Sequence, residues 1–562
     1  MSEKAVPENA VPENPARASP ADRRAWWGLV AISLGVSLVV VDFTIVNVVM
    51  PPIIDDLELS AFGAQWIQES YAIVLAALLL VMGRLSDILG ARRLFMVGTV
   101  VFGLASVAAA VSPTGELLIA GRIAQGVGGA IVMPTSLALL NLTFRGPDRG
   151  KAFAVWGSTI GAAAAVGPLL GGRLADYSWR WAFGINIAVV VLILVGVMRF
   201  LRPSLRRPGR IDAGGAVASV LGLGLLAFAL IEGRNYGWWE PRKDFGPFGD
   251  GTGLSVVPVS LIVAVVCLAL FLFLQVRRTR GNGTAPLMDT SLFAIKSFST
   301  GNLATLVIAL AEFGMLAVLP LWLQYALGYS PLRTGLLVFV VAVGSFFASG
   351  ASFGMAERIG PLGLVRIGLA LEAAGLPVFG LLADRDSQWW VIAIALFLYG
   401  MGVGFATARI TDVVLADVPP WQAGQGSGIQ SAARQLGSAL GIAVLTSTFF
   451  TALASDLSHR LVRLGTPGAT ADQLSSAVSD SAGAMISGLG NDPRTASAAD
   501  AARDAMSHAV RISGWTCAAL LVLGMLATFL VPRPGQGTRQ RGGRQPAEAA
   551  SNAAIDAGRL HT

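Results

Sequence analysis

Acidic residues stand deep inside several long apolar segments of the chain, foremost Asp42 in the first segment and Glu312 in a later one, with Glu372 as a weaker candidate for proton binding. A charge at such a depth in a membrane is costly unless it is paired, solvated or protonated. Burial favours the protonated form of a carboxylic acid. Asp42 and Glu312 are therefore candidates to bind and release a proton. The alternatives are a static hydrogen bond from Asp42 to Asn47 or to a neighbouring helix, and a structural role for Glu312.

Arg122 and Arg434 also lie within apolar segments. Arg122 is charged at any physiological pH, so it would favour the ionised form of a nearby carboxylate. A moving substrate or helix could change that coupling, and we therefore place Arg122 with the proton-coupling residues; the alternative is an ion pair that only packs helices. Arg434 is either structural or a donor to substrate, and with Asn47 and Phe313 it forms a candidate substrate cavity.

The elements that position these residues are expected to be membrane-spanning helices. Of the 562 residues, 54% are hydrophobic and 13% are charged, and the mean hydropathy is +0.65. A soluble protein of this length needs more charge to cover its surface. A helix of about 20 apolar residues crosses a bilayer core about 30 Å thick, whereas an open sheet would leave backbone groups unpaired there. The sequence therefore predicts an all-α membrane protein.

Fourteen apolar segments have spanning length, and they form two groups of six separated by an additional pair. We expect a six-helix bundle in 25–205, two additional helices in 206–280, and a second six-helix bundle in 281–533 with a long external loop at 451–510. The 475–510 part of that loop is either loosely ordered or an amphipathic helix. Glycine patterns repeat weakly between the groups, as in transporters built from two bundles. The segments are predicted at 28–50, 64–83, 93–111, 116–140, 152–174, 181–201, 213–232, 255–275, 299–322, 332–354, 363–383, 389–413, 425–450 and 511–531.

The distribution of loop charges predicts the topology. Basic residues cluster in alternate loops, for example at Arg92 and Arg93 and at 202–210, while the intervening short loops are acidic. The positive-inside rule places the basic loops and both termini in the cytoplasm of a multi-pass cell-membrane protein. The polar segments 1–24 and 534–562 are predicted to be disordered cytoplasmic tails.

The turn after the second segment reads Gly-Arg-Leu-Ser-Asp-Ile-Leu-Gly-Ala-Arg-Arg from Gly83 onwards. Gly83 and Gly90 permit a tight turn between helices. Asp87 beside the arginines can form charge-assisted contacts in one global state and lose them in another. We predict a conformational switch made of Gly83, Asp87, Gly90, Arg92 and Arg93, and the alternative is an ordinary polar turn.

The fifth segment contains a second motif. Gly167 and Pro168 together remove a side chain and a backbone hydrogen bond, which allows a bend and a close helix contact. Gly171 and Gly172 extend the smooth face. We predict that Gly167, Pro168, Gly171 and Gly172 form a gate, and the alternative is plain helix packing.

Together these motifs resemble those of the major facilitator superfamily, in particular its fourteen-helix drug:proton antiporter family. The resemblance rests on the turn at Gly83, the motif at Arg122, the Gly-Pro motif at Gly167 and the sequence Asp-Phe-Thr-Ile-Val-Asn from Asp42. It implies two six-helix bundles with two extra central helices, and export of small amphiphilic molecules by alternating access in exchange for protons.

The remaining features favour a transporter over other classes of protein. The sequence has no phosphate-binding glycine loop followed by Lys and Ser or Thr, so ATP-driven transport is not expected. The net charge of +7 reflects topology rather than nucleic-acid binding, and we expect neither a metal nor another cofactor. We predict a monomeric, proton-coupled multidrug or antibiotic efflux transporter, not an enzyme, with small amphiphiles, protons and the lipid bilayer as partners. Two alternatives remain open: an exporter of a native metabolite (an amino acid, lipid or siderophore) and a non-transporting membrane sensor.

Overall fold

The computed structural model describes residues 22–529 except 60, 176, 205–208, 210, 243–244, 246–252, 281–285 and 383–386. The predicted tails lie outside the described residues, apart from the start of the first helix. The described residues form sixteen α-helices and no strand. The helices are α1 (Arg23–Leu57), α2 (Ala61–Leu89), α3 (Ala91–Ala110), α4 (Gly115–Thr143), α5 (Gly146–Ala175), α6 (Arg180–Phe200), α7 (Ala213–Tyr236), α8 (Val256–Arg280), α9 (Lys296–Tyr325), α10 (Pro331–Ile359), α11 (Pro361–Leu382), α12 (Trp389–Leu415), α13 (Ala423–Arg463), α14 (Gly468–Asp480), α15 (Met485–Asn491) and α16 (Ala496–Phe529).

The predicted all-helical membrane fold is confirmed. All of these helices except the short α14 and α15 correspond one to one to the fourteen predicted segments. Within the described part of the chain, thirteen helices are long and apolar enough to cross a membrane. The remaining long helix, α5, is rich in glycine and alanine and packs between α1 and α10.

Two bundles of six helices pack in similar ways. In the first, α3 and α2 both pack on α4, and α1 packs on α5 and α6. In the second, α11 and α10 both pack on α12, and α9 packs on α13 and α16. The bundles meet mainly along two helix pairs, α2 with α13 and α5 with α10, and α5 also packs on α12 and α4 on α13. This repeated arrangement agrees with the weak sequence repeat between the two groups.

Matching turns within the bundles support the same repeat. Gly90 between α2 and α3 has φ of 87°, and Gly360 between α10 and α11 has φ of 78°. These values are readily adopted by glycine and rarely by other residues. The same turn chemistry therefore joins corresponding helices in the two bundles.

The additional pair of helices is anchored on both bundles. α7 packs on α2 of the first bundle and on α13 of the second, while α8 packs on α7. Asp212 precedes α7, and its carboxylate pairs with Arg278 and accepts a hydrogen bond of 2.9 Å from Gln275, both on α8. These contacts hold α8 against α7 at the periphery.

Polar contacts identify the two ends of the molecule. Arg24 at the start of α1 donates to the carbonyl of Arg199 at the end of α6, at 3.0 Å. At the opposite end, Arg180 at the start of α6 lies 2.7 Å from Asp56 near the end of α1. We call the first the Asp87 end, because the α2–α3 turn lies there, and the second the Asp56 end.

Segment 451–510, predicted as a long external loop, is largely helical. α13 has 41 residues, so at about 1.5 Å per residue it extends roughly 60 Å, about twice the thickness of a bilayer core. The far part of α13, the first turns of α16 and the short α14 and α15 pack together at the Asp56 end, burying Ala471, Val478 and Ile486. The spanning rule does not detect this helical cap because it finds only helices long and apolar enough to cross a bilayer.

Candidate functional site

Asp42 lies in α1 with its side chain completely buried. Helices α4 and α6 surround it with donors. Arg122 pairs with its Oδ2 through Nη1, while Gln125 and Asn186 donate to Oδ1 at 2.9 Å and 2.7 Å. An arginine and two amide donors around one carboxyl group form a setting that suits an anion.

Arg122 is enclosed as completely as its partner. Its Nε donates to the carbonyl of Ile67 at 3.0 Å, and its Nη1 donates to Oε1 of Gln125 at 2.8 Å. The guanidinium lies 4.4 Å from the ring centroid of Tyr71, a cation–π distance. Tyr71 is fixed in turn by its hydroxyl, which donates to the carbonyl of Val39 at 3.1 Å.

Ser106 of α3 completes this Asp42 cluster. Its hydroxyl accepts hydrogen bonds from Gln125 and Asn186, at 2.9 Å and 3.1 Å. Four helices of the first bundle thus meet around a single carboxylate. The sequence identified Asp42 and Arg122 but missed the two amides. A usable signal was present, because Gln125 follows Arg122 by three residues and so shares its helix face.

The second bundle brings together three predicted residues. Nη2 of Arg434 on α13 lies 3.1 Å from Oε2 of Glu312 on α9, and both side chains are largely buried. The guanidinium also lies 5.7 Å from the ring centroid of Phe313. The side chain of Asn47, the third residue of the predicted cavity, lies outside the described part. The sequence singled out Glu312, Arg434 and Phe313 separately, and it did not predict the pairing of Glu312 with Arg434.

The α2–α3 turn joins the bundles through backbone contacts. Oδ1 and Oδ2 of Asp87 accept the backbone N–H groups of Gly424 and Gln425, at 2.7 Å and 2.9 Å. These N–H groups open α13, so a carboxylate there is favoured by the helix dipole. A Cβ on Gly83 would lie 2.6 Å from the carbonyl oxygen of Gly424 and 2.8 Å from Cα of Gly428, so α2 and α13 touch at glycine.

The arginines of this turn contact the protein differently from the sequence expectation. Arg92 donates from Nη2 to the carbonyl of Met198 at 3.1 Å, and its backbone N–H donates to Ser204. Arg93 is exposed. Arg92 therefore ties α3 to the end of α6 within one bundle, and the contact across the bundles is made by Asp87.

The glycine motif of α5 faces α1 beside Asp42. A Cβ on Gly167 would lie 3.1 Å from the carbonyl oxygen of Val41, and one on Gly171 would lie 2.9 Å from Cγ1 of Ile45. Gly172 faces open space instead and takes no part in this contact. The side chain of Pro168 lies outside the described part of the structure.

Metal ligation has no support in the residues described. Among them, no group of three His, Cys, Asp or Glu side chains could hold a metal ion. Cys267 and Cys517 are unpaired, and Cys517 is buried in α16. The chemistry available in the described part of the chain is therefore that of carboxylates, arginines and amides.

Two similar helical bundles that meet along two helix pairs, with a buried ion pair in each, define a polytopic membrane transport protein. The family profile of the Major Facilitator Superfamily matches residues 32–442. The chain belongs to the Major Facilitator Superfamily.

Relatives and solved structures agree with this assignment. The puromycin resistance protein of Streptomyces alboniger is 34% identical over 462 residues, covering 80% of this chain and 86% of that protein. Multidrug resistance protein Stp of Mycobacterium tuberculosis is 31% identical over 438 residues, covering 77% of this chain and 78% of that protein. The human organic anion transporter MFSD10 has a TM-score of 0.58 at 15% identity, covering 90% of this chain and 99% of its own. The last similarity shows a shared fold alone.

Proposed function

We propose that this protein is a proton-coupled efflux transporter of antibiotics and other small amphiphilic molecules. The two bacterial relatives, a puromycin resistance protein and a multidrug resistance protein, support this substrate class. We assign the protein to the cell membrane. The Asp87 end and both termini are assigned to the cytoplasm, because the loops at the Asp87 end carry the basic residues. We assign 25–205 and 281–533 to the two moving bundles of a monomer and 206–280 to the additional pair.

The buried pair of Asp42 and Arg122 carries the proposal of proton coupling. A carboxylate paired with arginine inside a membrane protein is held only while both charges are present. Protonation of Asp42 removes the negative charge of the pair and leaves the charge of Arg122 uncompensated. The proton therefore changes which contacts between the helices are favourable. A proton moving down a membrane potential of 100 mV releases about 2.3 kcal/mol, which is enough to bias two conformations of similar free energy.

The glycine-rich face of α5 could transmit a change in the protonation of Asp42 to the contact between the two bundles. Gly167 lies against Val41, next to Asp42, and α5 also packs on α10 and α12 of the other bundle. A change at Asp42 that moves α1 would therefore act on α5, a helix of the first bundle that also contacts the second. We assign Gly167, Pro168 and Gly171 to the predicted gate.

The α2–α3 turn provides the conformational switch in this mechanism. Asp87 caps α13 in the present conformation and so joins the two bundles at the Asp87 end, which we assign to the cytoplasm. Opening that end to admit substrate requires Asp87 to leave the N–H groups of Gly424 and Gln425. Gly83 and Gly90 shape the turn, and Arg92 and Arg93 lie beside it.

Purified protein in liposomes tests the proposal. Ethidium or puromycin movement is measured with and without an imposed pH difference, for wild type, Asp42→Asn and the matched variant Asp55→Asn, which alters an exposed carboxylate of the same helix. We expect the pH difference to drive transport by wild type and Asp55→Asn but not by Asp42→Asn. Equal transport by wild type with and without the pH difference would refute proton coupling, and no movement of either compound would refute the substrate class.

A further inference from the structure

A third membrane-embedded carboxyl group lies in the second bundle, at Glu372. This residue is midway along α11, in a candidate membrane span, and its exposed fraction is 0%. Neither carboxyl oxygen has a hydrogen-bond partner among the described residues. Asp42 and Glu312, by contrast, each contact an arginine.

The side chain occupies a space that the neighbouring helix leaves for it. A Cβ on Gly402 of α12 would lie 2.6 Å from Cγ of Glu372. The absence of a side chain at Gly402 therefore makes room for Glu372 between α11 and α12. This close fit keeps the carboxyl group inside the bundle, away from lipid.

The titratable groups around Glu372 come from three helices. Tyr399 of α12, Cys517 of α16 and Glu312 of α9 are within electrostatic range of the carboxyl group. None of the three is a cation.

Two arginines lie elsewhere along the contact of α11 with α16. Arg366 of α11, six residues before Glu372, donates to the carbonyl of Thr528 at 2.9 Å. Arg511 of α16 donates to the carbonyl of Gly380, eight residues after Glu372, at 3.0 Å. The helix α10 also packs on α11, but its described titratable residues, Arg333 and Arg358, lie in its first and last turns.

In the part of the chain that the structure describes, no arginine or lysine pairs with Glu372. Arg434 pairs with Glu312, so that pair is neutral. An ionised Glu372 would add an uncompensated negative charge, buried and without hydrogen bonds, close to a second carboxylate. The uncharged acid avoids this penalty.

We propose that Glu372 is a second proton-binding residue, which holds its proton in this conformation and releases it when the bundles rearrange. The proton passes to water on the side that the rearrangement opens, and the carboxylate that remains has the Tyr399 hydroxyl as an available donor, since that hydroxyl has no described partner here. This proposal rests on the proposed function, because release requires the alternation between two conformations.

Infrared spectroscopy of purified protein tests the protonation state without requiring transport. A buried protonated carboxyl gives a C=O stretching band that shifts on hydrogen–deuterium exchange. We expect Glu372→Gln to remove such a band and Asp42→Asn, which alters a carboxyl group paired with arginine, to retain it. Tyr399→Phe keeps the acid and should move the band. An unchanged spectrum in Glu372→Gln would overturn the proposal.

Proton release on substrate binding tests the second part. Ethidium is added to purified protein in weakly buffered solution, and the pH change is followed with an indicator dye. We expect Glu372→Gln to bind ethidium yet release fewer protons than wild type. Equal proton release by the two proteins would overturn the proposal that Glu372 releases a proton. Failure of pH-driven transport by wild type in liposomes would instead overturn the proposed function.

Discussion

Nη2 of Arg149, in the first turn of α5, lies 2.9 Å from Oδ1 of Asp412 near the end of α12. The two residues are 263 positions apart in the chain, and Nη2 also donates to the backbone carbonyl of Asp412 at 3.3 Å. Because one residue belongs to each bundle, the pair fastens the bundles together at the Asp87 end. It lies at the same end as the contact of Asp87 with α13.

Reversing one charge of this pair should open the Asp87 end. Hydrogen bonds between charged groups contribute about 1.5–3 kcal/mol, so Arg149→Asp should shift the equilibrium by about tenfold or more towards the form open at that end. Spin labels at the exposed positions Arg93 and Trp421 report the separation by electron–electron distance measurement. The double variant Arg149→Asp with Asp412→Arg should restore the short distance. If the single and double variants give the same distances, the pair does not hold the bundles together.

The glycines of α5 allow a test with a neighbouring control. Gly171→Val would force a side chain against Ile45, and overpacking of this kind costs about 1–3 kcal/mol. Gly172→Val places the same side chain in open space. We expect a lower unfolding temperature and weaker ethidium export for Gly171→Val only, measured by differential scanning fluorimetry and in liposomes. Equal effects of the two substitutions would indicate that close contact with α1 is unimportant.

The sequence predicted the charged members of the site better than their partners. Asp42 and Arg122 stand out because a charge inside an apolar segment is rare and costly. Gln125 and Asn186 carry no charge. The three-residue spacing from Arg122 was a local signal for Gln125, whereas the place of Asn186 depends on which helices meet, which no local pattern encodes. Asp87 was predicted from its neighbours in the turn, yet it binds backbone N–H groups at the start of α13, far along the chain.

The membrane-spanning helices of the fold could be predicted from the sequence, but the helices outside the bilayer and the packing of distant helices could not. Apolar segments of fixed length identify spanning helices because the bilayer sets their length. That rule does not apply outside the bilayer, so 451–510 was expected to be a loop although most of it is helical. The place of α7 between α2 and α13 depends on packing between distant segments, and loop charges carry no information about it.

The contact between Asp56 and Arg180 predicts a pH-dependent contribution to stability. A hydrogen bond from Arg180 lowers the pKa of Asp56 below its ordinary value. A lowered pKa in the folded state means that the contact stabilises the protein above the unfolded pKa of about 3.9 and ceases to do so as the pH falls below it. Asp56→Asn should therefore lower the unfolding temperature slightly at pH 7, and the difference from wild type should vanish in acid. Asp55→Asn serves as the control, and a difference that grew in acid would contradict the assignment.

The contributions of Glu312 and Arg434 to the free energy of unfolding should be strongly coupled. Removing either partner leaves an uncompensated, largely buried charge, which costs about 3–5 kcal/mol in comparable pairs. Glu312→Gln and Arg434→Gln should each lower the free energy of unfolding, while the double variant should lose much less than the sum, because no charge is then stranded. Chemical denaturation of the four proteins gives the coupling free energy from a double-mutant cycle. Additive losses would mean that the two side chains act independently, and Arg434 would then be free to meet a substrate through its contact with Phe313.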